Sequence, residues 1–333
     1  MKNSPVEGPR AEQGQVASEG RPSGAGDAAA PARELTAWSG PTPLAAVAGG
    51  LLAAAFAWSY WPTLVDLVAT WNREADYSHG FLVVPFAVYL LWSRWDRFPG
   101  RAAGLAWAGL AVIVLSMGLR FFGALFFLGA VDGWSMLVWI AGAVWFLGGR
   151  RVMWWSLPVV GFLWFMVPLP WRAERMLSVP LQSIATRISS WALQTLGQPA
   201  LPEGHTILLG DFHLEVEQAC SGLRVFMGIL ALACAYLMVV PQRWWARVLL
   251  LVSVVPVALT ANAARIVTTG LLYQYVSGEA ARKFSHDIAG WAMILFAAGL
   301  FALVLWYVNS IVREVEVPDI GDVLRQERAD ATR

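Results

Sequence analysis

The sequence predicts an all-α membrane protein of about eight transmembrane helices. Three observations predict it. Of 333 residues, 57% are hydrophobic and 14% charged, where soluble domains carry about 25% charged residues. Mean hydropathy is +0.54. Apolar segments of membrane length alternate with loops that carry arginine on every second turn. The formal net charge of +1 argues against nucleic acid as a partner and leaves the lipid bilayer as the environment.

Residues 1–37 read as a disordered cytoplasmic tail. They are rich in Gly, Ala, Pro, Ser and Glu, and so bury too little surface to offset the entropy of ordering. No apolar run of the signal-peptide kind follows the start. A polytopic domain is expected over 38–313 and a short charged cytoplasmic tail over 314–333.

The expected spans are 44–65, 80–93, 102–119, 133–149, 152–171, 225–242, 248–264 and 288–312. The second is shorter than the roughly 17 residues a span requires, so His79 and Arg94 are expected at its interfaces. Pro158, Pro168 and Pro170 are expected to kink or end the fifth span, and Pro256 to bend the seventh.

Orientation follows from loop arginines. Arg94, Arg97, Arg101, Arg150, Arg151, Arg243, Arg247 and Arg313 fall on one side, expected to be cytoplasmic with both termini. Asp66, Glu74, Asp76, Asp132 and the acidic stretch 203–217 fall on the other. Arg282 and Lys283 are the exception.

Residues 172–221 connect spans five and six. Met176, Val179, Leu181, Ile184, Ile188, Trp191 and Leu196 alternate with Arg172, Glu174, Arg175 and Arg187. This pattern predicts a helix lying in the membrane interface; a span here would invert every later loop. Thr206–Leu209 and Phe212–Val216 flank Gly210-Asp211, which predicts a short extracytoplasmic β-hairpin before helix 6. Its polar face would carry His205 and His213.

The two cysteines, Cys220 and Cys234, are 14 residues apart on one expected helix, hence roughly 21 Å. A disulfide needs Cα atoms within about 7 Å, so Cys220 is expected to be a free thiol at a helix mouth. A helix N-terminus and a nearby cation both favour its thiolate. Under the arginine-derived topology, His79, Cys220, Arg265 and His286 all reach the extracytoplasmic face. Cys220 is the candidate nucleophile, His286 the acid/base partner, and Arg265 the holder of a developing oxyanion. Asn262 lies three residues before Arg265 on the same helical face and can orient it. Cys234 reads as packing, and Asp287 points away from His286.

These residues resemble the exosortase/archaeosortase family of multi-pass transpeptidases. The matching pieces are Tyr77-Ser78-His79-Gly80, Ala219-Cys220-Ser221-Gly222-Leu223-Arg224, Asn262-Ala263-Ala264-Arg265-Ile266, and Ser285-His286 with Gly290. Their order at helix ends carries the resemblance, over roughly 44–312. The resemblance implies a membrane-embedded cysteine protease or transpeptidase at the plasma (inner) membrane. Cys220 would form an acyl-thioester, with Arg265 and His286 completing the site; His79, Tyr77, Asn262, Ser221 and Arg224 would support it or bind substrate. In that family the arginine is described as proton donor. Chemistry favours His286, because an arginine releases its proton too reluctantly near neutrality.

The implied partners are exported proteins ending in a PEP-CTERM-type tail, made of a short motif, a transmembrane helix and a basic cluster, with an unknown acceptor nucleophile. No metal or cofactor is expected. Other readings of the same residues are a metal or haem site formed by His79, His286 and Cys220, a transporter, and a non-catalytic component of polysaccharide export.

Overall fold

In hydrocarbon, a backbone must satisfy its own hydrogen bonds, so apolar runs become helices. The computed structural model describes residues 43–100, 105–210, 212–216, 222–279 and 289–311. Within them lie eight helices: α1 Pro43–Arg73, α2 Gly80–Ser93, α3 Trp107–Leu125, α4 Gly129–Phe162, α5 Trp171–Thr195, α6 Leu223–Val239, α7 Trp244–Tyr275 and α8 Ala289–Ile311. Short 3-10 turns occupy Ala75–Tyr77, Trp95–Arg97 and Leu163–Met166. Five helical stretches are long and apolar enough to cross a membrane: Pro43–Arg73, Trp107–Leu125, Gly129–Met166, Trp244–Tyr275 and Ala292–Ile311. Helices α2 and α6 are apolar but shorter. The two expected tails, 1–37 and 314–333, lie outside the described residues.

Helix α4 covers parts of two expected spans and is not straight. At Gly149 the backbone adopts φ 81° and ψ 176°, a conformation that glycine reaches without a Cβ penalty. A straight helix would separate Gly133 from Phe162 by about 43 Å. Instead the Trp134 and Trp164 rings stack at 6.4 Å, and a Cβ built at Gly133 lies 3.5 Å from Val167 Cβ. The chain therefore reverses at Gly149. Two antiparallel arms, 129–148 and 150–162, follow one another; the 3-10 turn Leu163–Met166 completes the second before Pro168 and Pro170. Pro158 does not break its arm, and Pro256 lies inside continuous α7.

Contacts between helices sort their ends into two sets. Trp155 Nε1 donates to the Arg94 carbonyl at 3.2 Å, so the arginines after α2 and those at the α4 reversal share one end. At that end Gln242 also donates to Asn309 of α8, at 3.1 Å. At the opposite end Thr63 donates to Asp132, Trp71 reaches Met166, and Arg224 pairs with Asp76. This acidic end carries the residues of the candidate site.

The α1, α3 and α4 helices are locked by one polar cluster. Arg120 pairs with Asp132 at 3.2 Å and lies over the Tyr60 ring at 4.6 Å. The Tyr60 and Ser135 hydroxyls are 3.1 Å apart. Between helices that share no hydrophobic drive in lipid, such bonds and small-residue contacts supply the association. Gly109 and Gly142 make that contact here: a Cβ on Gly109 would lie 2.6 Å from the Gly142 carbonyl oxygen.

Both ends of α5 lie at the acidic end. Glu174 accepts from Tyr77, and Leu193 packs beside Gly270. Its outward face carries Met176, Val179, Ile184, Ile188 and Trp191, while Gln182, Thr186, Ser189 and Ser190 are buried. Its apolar stripe thus faces away from the protein. Small polar side chains face inward and bond to backbone: Thr186 to the Gln182 carbonyl at 2.8 Å and Ser190 to the Ala200 carbonyl at 3.1 Å.

A three-stranded antiparallel sheet follows, in the order β1 Ala200–Glu203, β2 Thr206–Leu209, β3 Phe212–Glu215. The β2–β3 pair has the expected register, with Leu209 opposite Phe212. Strand β1 is an addition to the expected hairpin. Its turn uses Gly204 at φ 60°, and the Gly-His pair between two extended runs is the signal in the sequence. Leu214 and Val216 are buried while His213 and Glu215 are exposed, as the alternation requires. His205 is half-buried in the β1–β2 turn and is not part of that exposed face.

The seventh span is longer than expected. Helix α7 continues ten residues past Arg265 because the sheet and α5 cover its extension. Phe212 stacks on Tyr273 with centroids 3.3 Å apart, and Gln274 donates to the Leu209 carbonyl at 3.2 Å.

The reversal at Gly149 has a direct test. Gly133→Cys combined with Val167→Cys should form a disulfide on mild oxidation, since 3.5 Å is within the Cβ separation such bonds use. Peptide mass spectrometry reads it. A reduced pair would mean that the two arms of α4 do not fold back.

Candidate functional site at the acidic end

The site is built around the 3-10 turn Ala75–Tyr77 and the Ser78-His79 step into α2. His79 spans two elements: its Nδ1 is 3.1 Å from the Asp76 carbonyl oxygen and its Nε2 is 3.0 Å from that of Phe165. A neutral imidazole donates from one nitrogen only. Burial, the largest influence, holds His79 below the ordinary imidazole value. The two carbonyls and Asp76 act the other way, and Arg224 adds to the lowering. His79 therefore ties the entry of α2 to the end of the second α4 arm.

Gly80 is required by the same arrangement. A Cβ there would collide with the Trp71 indole, whose N–H donates to the Met166 carbonyl at 2.9 Å. Tyr77 is buried and donates to Glu174 Oε2 at 3.0 Å. Burial first, then the Glu174 charge, raises the Tyr77 pKa. Burial also raises that of Glu174, with Asp76 and Glu74 adding to it and the Tyr77 bond opposing it.

Asp76 faces the other way. Its Oδ1 lies 3.7 Å from Arg224 Nε in the first turn of α6. Arg224 and Arg265 are close enough to repel one another. Beside them Gly222 caps α6, and a Cβ there would lie 3.2 Å from Asn262 Nδ2. Asn262 is 3% exposed, and about two turns on, Thr269 donates to the Arg265 carbonyl at 2.9 Å. Arg265 is half-buried and well inside α7.

The structure thus brings together Tyr77, His79, Arg224, Asn262 and Arg265. Cys220, Ser221 and His286 lie outside the described residues. Their flanking helices pack on one another: Val225 and Ile229 of α6, Ala258 and Ala261 of α7, and Ala297 and Phe301 of α8 form one apolar core, with Met293 packed on it. Asp76, Glu174, Trp71 and Phe165 were not among the expected site residues. Asp76 had a signal, being a carboxylate directly before Tyr77-Ser78-His79. Phe165 had none, because it acts through its carbonyl.

A helical membrane protein with polar groups gathered where several helices end at one face is the class these features define. The model of the transmembrane exosortase family matches residues 71–303, and the chain belongs to that family. The match begins at Trp71 and takes in every residue of the cluster. No curated protein and no solved structure matches the chain. Membership supports a transpeptidase-type function at a membrane.

Two measurements follow. The apparent melting temperature should fall as pH drops through about 6.5, because the unfolded chain takes up the imidazole proton before buried His79 does. His79→Gln should flatten that dependence between pH 7.5 and 5; an unchanged slope would remove His79 as its source. Gly222→Val should lower activity at least tenfold, since it forces Asn262 aside and small displacements at a reacting centre are costly. Wild-type activity in that variant would mean that the Gly222–Asn262 approach is immaterial.

Proposed function

We propose that this protein is a membrane-embedded cysteine transpeptidase that cleaves C-terminal sorting tails of exported proteins through an acyl-thioester on Cys220. The observation that carries this reading is the close approach of Asn262 to Gly222, two residues after Cys220 in the chain, with Arg224 and Arg265 near enough to repel one another. Family membership supports the same chemistry. His286 precedes α8, whose Met293, Ala297 and Phe301 pack on α6 and α7.

In this mechanism the Cys220 thiolate attacks the scissile carbonyl. The oxyanion develops against Arg265, oriented from its own helix by Asn262. A fixed charge in a partly dry site is worth more than in water. His286 accepts the thiol proton and returns it to the leaving amine, so a peptide bond is exchanged for a thioester. The acceptor then releases the acyl group. Arg224, held by Asp76, adds positive potential beside the thiolate.

The acidic end is extracytoplasmic in this reading and both termini are cytoplasmic. Arg94, Arg150, Arg151, Arg243 and Arg247 would then occupy the cytoplasmic end, in keeping with the positive-inside rule. The chain crosses the membrane about eight times, and α5 lies in the outer interface with Met176, Ile184 and Trp191 turned to lipid. The substrates carry the PEP-CTERM-type motif just outside their own transmembrane helix, at the level of the site.

Cys220→Ala and Cys220→Ser should each abolish processing while the protein remains inserted, because a hydroxyl lacks thiolate character. Arg265→Lys should lose on the order of a hundredfold, because an ammonium does not reproduce the guanidinium fork. Trapping of the Cys220 thioester by mass spectrometry is the deciding experiment. Processing by Cys220→Ala at the wild-type rate would overturn the proposal.

A further inference from the structure

The two outer edges of the small sheet differ. Along an antiparallel pair, residues alternate between bonding to the partner strand and turning their N–H and C=O groups away from it. Glu203 and Thr206 flank a two-residue turn and bond to one another. In β1 the residues turned away from β2 are therefore Ala200 and Pro202, and neither offers a free N–H. The Ala200 N–H donates to the Gln198 carbonyl at 2.9 Å, and its carbonyl accepts from Ser190 and Gln194 of α5. Pro202 has no N–H.

The β3 edge is open. Leu209 and Phe212 flank the other turn, and the Val216 N–H donates to the His205 carbonyl at 3.0 Å. Phe212, Leu214 and Val216 therefore bond toward β2, and His213 and Glu215 turn their backbone groups outward. Both residues are exposed. Among the described residues, nothing bonds to those outward groups. Sheets protect an edge with proline or with a covering helix, as β1 does; β3 has neither.

We infer that the substrate polypeptide docks on the β3 edge, where an extended segment on the amino side of its scissile bond joins the sheet as a further strand. The inference rests on the transpeptidase reading, which supplies a polypeptide substrate. The chemistry of the edge selects that occupant. N–H and C=O groups presented at alternate residues match a peptide main chain in strand conformation. Backbone bonds then hold the segment, and alternate side chains set specificity. Beyond the scissile bond the substrate becomes a transmembrane helix that bonds its own backbone, so the segment before the bond is the one that pairs.

Position and direction link the edge to the site. Phe212, at the start of β3, stacks on Tyr273. Gly222, further along the same chain, approaches Asn262. Tyr273 and Asn262 are about 16 Å apart along α7. The chain therefore travels from β3 toward Asn262 and Arg265. A substrate strand lying parallel to β3 runs the same way and carries its scissile carbonyl toward Arg265. Leu214 and Val216 share one core with Ile266, which holds β3 against α7 while its edge stays exposed.

Binding is measured on the full chain in nanodiscs, in a Cys220→Ala background that has no chemistry. The probe is a fluorescent synthetic tail of PEP-CTERM type, with motif, transmembrane helix and basic cluster, placed in the same nanodisc. Single amide-to-ester exchanges are scanned along the tail, each removing one N–H. Affinity should fall about fivefold, the loss of one hydrogen bond, at two positions two residues apart. It should fall much less at the position between them. Glu215→Pro removes an outward N–H and leaves the β2 bonds in place, so it should weaken the same tail about tenfold. The ester scan keeps the test independent of how that variant folds. No tail binding, or a scan without alternation, overturns the inference. If Glu215→Pro leaves tail affinity unchanged but abolishes a dimer of the chain, the edge belongs to a second copy and the inference falls. An alternating scan without any thioester on wild-type protein would sustain the docking edge and sink the Cys220 reading instead.

Discussion

Two backbone carbonyls at the end of the second α4 arm organise this protein. The carbonyls of Phe165 and Met166 fall where the helix has already ended, so they lack intrahelical donors. An unmet carbonyl in apolar surroundings costs several kcal/mol. Trp71 and His79 meet them, one from the end of α1 and the other from the entry to α2. That pair of bonds fixes the short chain between the two helices. Since this chain carries Asp76 and Tyr77, it also decides where Arg224 and Glu174 find their partners.

The reversal at Gly149 makes this possible. Without it, the end of α4 would lie a membrane thickness away from Gly133 and from His79. With it, Trp164 stacks on Trp134 and Val167 packs on Gly133. One left-handed glycine thus brings three connecting segments to the same face: 74–79, 126–132 and 163–171. Their carboxylates and aromatic rings line a cavity of about 850 Å³, and their backbones hold the 3-10 turn against α6. The site and the cavity share one wall because they share this origin.

Burial of a polar stripe on α5 is the second device. Gln182, Thr186, Ser189 and Ser190 face α7 and the sheet, and apolar side chains face outward. A soluble helix does the reverse. Here the surroundings outside the protein are apolar, so the hydrophobic effect no longer distinguishes the two faces, and hydrogen bonds decide which one packs. Ser190 and Gln194 both donate to the Ala200 carbonyl, at 3.1 Å and 2.6 Å. This fastens β1 to α5, and through the sheet to the α7 extension that continues beyond Arg265.

The sequence by itself determined the helical class, most segment positions, the β2–β3 hairpin and the grouping of loop arginines at one end. Composition and periodicity carry that information because each helix or hairpin is specified by neighbours in the chain. It also singled out Tyr77, His79, Arg224, Asn262 and Arg265, because ionisable groups stand out at the ends of apolar runs. The roles those residues take were another matter. His79 is a tether because Phe165 offers a carbonyl from 86 positions away, and a carbonyl leaves no mark on residue type. Asp76 and Glu174 matter through partners on α6 and on the turn before α2, which no local pattern encodes. The fold-back of α4, the inward polar face of α5 and the third strand were likewise decided only when distant segments competed for the same surface. Local sequence sets what each segment can be; the requirement that every buried polar group find a partner sets where it goes.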